Sequence, residues 1–98
     1  MTENIIRLQF DKSLSCLAGN PYGKTIYDEQ VRGRLDSNKK NIIEFPSFID
    51  DIAISFIQGF FKNIVKEMGF GGFMKKVEIR VSSEELHQKI LDNILGMQ

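Results

Sequence analysis

Several small groups of residues in this 98-residue chain have the types and spacing to do chemistry. AGNPYGKT (18–25) ends in Gly23, Lys24 and Thr25, the close of a loose phosphate-loop pattern. In such a loop backbone amides wrap the phosphates, the lysine meets the terminal ones and the hydroxyl holds magnesium. Ala18 stands where the stricter pattern has glycine, and Pro21 deletes one of the amides the loop would use. No strand ending in aspartate follows, since IIEF closes on Glu44 and Phe45. A Gly-Asn-Pro turn leading into a helix is the plainer reading. Asp50 and Asp51 are adjacent and could hold magnesium, but acids are commonplace at helix approaches. His87 has no second histidine for a metal and reads as an exposed helix residue. Cys16 has only that imidazole as a partner and reads as a small core or edge residue. GFGGF (69–73) lacks dinucleotide-loop spacing and reads as a turn. Nothing here argues for catalysis, and the pattern calls for no cofactor.

Ser55 is different in kind. It sits inside IDDIAISFIQGFF (49–61), between two acids and a bulky apolar run, with Gln58 three residues on. That S-x-x-Q spacing predicts a capping box, in which the hydroxyl accepts a first-turn amide, worth about 1 kcal/mol.

The elements that must position these residues follow from periodicity. NIIRLQF (4–10) reads as a strand, and a short second strand is expected around 14–17. Helical spacing of Tyr27, Val31 and Leu35 predicts a helix over 24–35, and IIEF from Ile42 reads as a strand that Pro46 stops. Counted from Ala53, Phe56, Ile57, Phe60, Phe61, Ile64, Val65 and Met68 form one apolar stripe, a long amphipathic helix with Gly69 as its C-terminal cap. GFGGFMKK reads as a loop and VEIRV (77–81) as a half-buried strand. Ser82 and Glu85 predict a capping box for a last helix with Leu86, Ile90, Leu91, Ile94 and Leu95 as its stripe. The expected fold is α/β, a single domain with a mostly parallel sheet of three or four strands and three helices.

Composition narrows the classes. Thirteen Lys and Arg balance thirteen Asp and Glu, so the basic face expected of a nucleic-acid binder is missing. The single cysteine forms no internal disulfide and suits a reducing compartment. MTENIIRLQF lacks signal-peptide character. Polar residues interrupt the apolar stretch 52–65, short of the roughly twenty residues a span requires. A cytoplasmic protein with no membrane contact is expected.

YGKTIYDEQVRGRL, then NIIEFPSFIDDIAISFIQGFFKNIV, then the last strand and helix resemble the STAS-like family, small relatives of bacterial anti-sigma-factor antagonist domains. The resemblance covers roughly residues 20 to 95 and is one of spacing and residue class. It implies a non-enzymatic regulatory module whose partner is a histidine-kinase-type ATPase or an anti-sigma-like regulator. It also implies that Ser55 takes the place of a serine that a kinase phosphorylates, although Ile54 and Phe56 stand where the family has aspartate and small residues. The contact face would run from Ser47 to Ile54 and into the next turn, with Phe48, Asp50, Asp51, Ser55 and Gln58. Two other readings stand beside it. One is a nucleotide-binding protein using AGNPYGKT. The other is a homodimer or assembly subunit pairing through an edge strand or the phenylalanine-rich helix, since surplus aromatic residues can mark an interface.

Overall fold

The computed structural model describes residues 2–97. Strand β1 (Glu3–Arg7) and the short β2 (Cys16–Leu17) lead into helix α1 (Asn20–Gln30). Strand β3 (Lys40–Glu44), the short β4 (Asp51–Ile52) and helix α2 (Ile54–Met68) follow. The chain closes with α3 (Phe70–Lys76), β5 (Val77–Arg80) and α4 (Glu84–Leu95). The architecture is α/β. One parallel sheet has the order β1-β3-β5, and β2 and β4 form a separate parallel pair.

The sheet is two-faced. In register, Ile6, Ile43 and Ile79 line one side and belong to the core shared by all four helices. The other side carries Ile5, Arg7, Lys40, Ile42, Glu44, Glu78 and Arg80 and is joined by ion pairs. Arg7 Nε meets Glu44 Oε1 at 3.0 Å, Lys40 Nζ meets Glu78 Oε1 at 2.7 Å, and Arg80 Nε meets Glu78 Oε2 at 2.9 Å. Ile42 is fully buried yet outside the core cluster. Its neighbours in register are Ile5 on β1 and Glu78 on β5.

Helix α2 is the centre of the core. Phe56, Ile57, Phe60, Phe61 and Ile64 are fully buried, as the stripe predicts, while Val65 and Met68 are half-buried. Phe45 reaches Phe60 edge-on with centroids 5.8 Å apart, Phe60 meets Phe61 at 4.8 Å, and Phe61 meets Phe73 at 6.4 Å. This aromatic chain ties β3 through α2 to α3. The phenylalanines of 56–73 are therefore core, with Phe70 half-buried against it.

Four expectations are corrected. GFGGFMKK is no loop but holds the whole of α3: burying Phe73 (1% exposed) outweighs the poor helix propensity of two glycines. Among the described residues the helices thus number four. Helix α1 starts at Asn20, four residues early, because Gly19 at φ 105° turns the chain and Pro21 suits a first turn whose amide is free anyway. It ends at Gln30, and Leu35 lies beyond it in the connection to β3. For α4 the cap is Ser83, which accepts the Leu86 N–H at 3.1 Å, while Ser82 donates its hydroxyl to Ile49 O at 2.9 Å. Leu95 is 45% exposed and leaves that helix's buried stripe.

Helices α1 and α2 touch backbone to backbone. A Cβ on Gly23 would lie 2.6 Å from Phe56 O, and one on Gly59 would lie 2.0 Å from Asn20 O. Both distances are impossible, and the obstacle is main chain, which cannot swing aside. Gly59→Ala is expected to cost about 3 kcal/mol or more through forced separation of the helices, read as a lower midpoint in urea denaturation.

The same helix pair joins Tyr27 to Glu67, the phenol donating to the carboxylate. Burial, then that hydrogen bond and the Glu67 charge, push the Tyr27 hydroxyl up to about 12. A raised folded value favours the neutral phenol. Its stabilisation is complete below the unfolded value of about 10 and is lost as pH rises through the folded one. Stability is expected to fall between these limits in the native chain, and Tyr27→Phe is expected to flatten that part of the profile, followed by chemical denaturation at stepped pH.

Candidate functional site

The helix crossing sets two helix starts side by side. Strand β2 pairs with β4, Leu17 opposite Ile52, and each strand runs directly into a helix. Ala53 N donates to Leu17 O at 2.7 Å, closing the pair at its helical end. Neither α1, capped by Gly19, nor α2, capped by Ala53, has a side-chain cap.

Ser55 is therefore not the N-cap that its spacing with Gln58 predicts. The extended backbone of Ala53 ends β4 and takes that position, so Ser55 falls inside the first turn of α2. Its Oγ accepts the Gly19 N–H at 2.9 Å across thirty-six positions of sequence. The hydroxyl staples the β2–α1 turn to the α2 turn. It remains half-buried, beside Ile54, which is 49% exposed.

The other expected contact residues divide. Phe48 is half-buried and packs on the core. Asp50 is exposed, and its N–H donates to Ser15 O at 2.9 Å. Asp51 turns towards α4: its Oδ1 accepts from Lys89 Nζ at 3.1 Å and from Ile52 N at 2.9 Å. The Lys89 hydrogen bond is the main cause holding its carboxyl below the usual range. Gln58 is exposed on α2 one turn after Ser55. Ser55 thus faces the start of α1, and Asp51 faces α4. Among the described residues no three His, Cys, Asp or Glu side chains converge in a way that could hold a metal ion.

AGNPYGKT is not arranged as a phosphate loop. Asn20 to Thr25 are already helical, and Gly23 is buried in the crossing. Lys24 Nζ pairs with Asp28 Oδ2 at 2.8 Å, and the Thr25 hydroxyl donates to Pro21 O at 3.0 Å. Cys16 is exposed in β2, an edge residue rather than a core one.

One feature escaped the sequence reading. The carboxyl ends of β1, β3 and β5 open into a cleft of about 910 Å³ whose lining includes Arg7, Phe45, Ser47, Arg80, Ser83 and His87. Crevices at this end of parallel strands are the usual ligand position in open α/β sheets. Only the strand order, which the sequence does not print, brings these residues together. None of the helices among the described residues is long and apolar enough to cross a membrane.

No protein-family model matches the chain, and no curated protein or solved structure matches it either.

Ser55→Ala leaves the Gly19 amide without its acceptor and is expected to cost about 1 kcal/mol. Ala53→Ser supplies the cap that α2 lacks and is expected to gain about as much. Urea denaturation of both variants reads the two signs. Equal losses would return the N-cap to residue 55.

Proposed function

We propose that this chain is a non-enzymatic regulatory module of the STAS-like kind, cytoplasmic, that works by docking a protein partner on the rim formed by residues 47–55 and the first turns of α2. By the resemblance, the partner is a histidine-kinase-type ATPase or an anti-sigma-like regulator. The observation that carries the reading is the pairing of a half-buried, hydrogen-bonded Ser55 with the exposed Ile54 at the junction of two helix starts. An aliphatic side chain left half in water gives a partner something to bury. Exposed Asp50 and Gln58 supply polar contacts around it.

The same geometry gives Ser55 a way to act as a phosphoserine switch. A phosphoryl group on its oxygen would exchange one neutral hydrogen bond with Gly19 for a charge lying between two helix N-termini. Their amides and dipoles favour such a charge. The rim would meanwhile gain up to two negative charges, enough to repel an acidic partner surface.

Affinity capture from an extract of the native host, with the bound protein identified, tests this. The native chain and Ser55→Ala are expected to retain the same partner, and Ser55→Asp and Ile54→Arg to lose it at unchanged secondary structure. If Ile54→Arg holds the partner as well as the native chain, the rim is not the docking surface. Equal binding by Ser55→Asp and Ser55→Ala removes the switch and leaves the rim.

A further inference from the structure

Strand β5 is one edge of the sheet, and a groove runs along it. The cleft at the carboxyl ends of the strands continues past Ile79 and His87 into a second depression of about 350 Å³ beside Met74, Val77 and Leu91. Met74 is 47% exposed there. The ladder settles which backbone groups face this groove. Arg80 O accepts the Phe45 N–H at 2.9 Å, so Arg80, and by alternation Glu78, turn their main chain towards β3. Val77, Ile79 and Val81 turn theirs outwards. The Val77 N–H is taken by Phe73 O, which leaves its carbonyl and both groups of Ile79 and Val81 aimed at the groove. Ile79 is 5% exposed, with its side chain in the core, and it lines both depressions.

We infer that this edge accepts β5 of a second copy of the chain, antiparallel, about a two-fold axis at Ile79. The reason is that Val77–Val81, VEIRV, has the same character in both directions. With Ile79 opposite Ile79 of the second copy, each Glu78 faces the other copy's Arg80 and each Val77 faces the other copy's Val81. The opposed pairs also share faces: the charged ones lie on the ion-paired outer face and the aliphatic ones on the helix side. Cross-strand pairs of both kinds stabilise a ladder. The outward amide and carbonyl of Ile79 then pair with those of the other copy's Ile79, and each Val81 N–H meets the other copy's Val77 carbonyl. Moving the axis to Glu78 or Arg80 sets like charges face to face. The joined sheet has six strands, β1-β3-β5 from each copy, and no exposed edge at its centre. Met74 and Leu91 line the groove beside the joined strands. This association is independent of the rim around Ser55.

Sedimentation equilibrium over a concentration series tests it. The native chain is expected to form dimers, and Glu78→Arg or Arg80→Glu to weaken that association roughly tenfold or more, because both cross-strand pairs become repulsive. An equimolar mixture of these two variants is expected to restore it, since each then faces the opposite sign. A native chain that stays monomeric to millimolar concentration overturns the inference. So do variants that associate as well as the native chain, or a mixture no tighter than its components. Thermal melts check that both variants fold. Amide exchange on the native chain provides a second readout: Ile79 and Val81 are expected to gain protection with concentration, and protection that ignores concentration counts against the pairing.

Discussion

Two glycines without side chains hold this molecule in its shape. Gly23 and Gly59 let α1 and α2 meet main chain to main chain, closer than any Cβ would permit. Everything at that end of the fold depends on the approach. It brings the starts of two helices together, and it puts the Gly19 N–H within reach of Ser55 Oγ. The short β2–β4 pair completes the junction, closed at its helical end by Ala53 and Leu17. The phenol of Tyr27, fastened to Glu67, ties α1 to α2 further along both helices.

That contact also explains why a nucleotide motif and a packing motif look alike here. Both need a glycine where backbone comes close to something, whether phosphate or another helix. In AGNPYGKT the close neighbour of Gly23 is α2, and the lysine and hydroxyl that follow are satisfied within α1 itself. A short pattern names the type of residue required and leaves open what approaches it.

Periodicity made much of the architecture legible. The α2 stripe, the strands at 42 and 77 and the last helix follow from side-chain alternation alone, because burial of one face dominates each element. The failures have equally specific causes. Helix α3 was hidden because two glycines argue for a turn, and only the hole that Phe73 fills argues otherwise. The α2 cap moved to Ala53 because β4, two residues long, carries extended backbone right up to the helix. Of the rim, Ser55 and Asp50 were visible as types, but the bond from Gly19 and the turn of Asp51 to Lys89 needed the tertiary fold. Asn41 is a further case. Buried completely, it accepts from Asn4 Nδ2 and Asp36 N, each at 2.8 Å, and donates to Asp36 O at 2.8 Å and Lys39 O at 3.1 Å. In sequence it is only a polar residue after two lysines, and its work is to satisfy a buried turn.

The strand order carries a kinetic consequence. Among the described residues every pairing is parallel, and none joins strands adjacent in sequence. Each ladder must therefore close a loop containing at least one whole helix, and the chain loses that freedom before the first inter-strand bond forms. Among the described residues no hairpin exists to act as a seed. The most extensive packing between helices is that of α1 and α2, whose bare crossing admits them at short range. A substitution that blocks the crossing would slow assembly as well as loosen the finished fold.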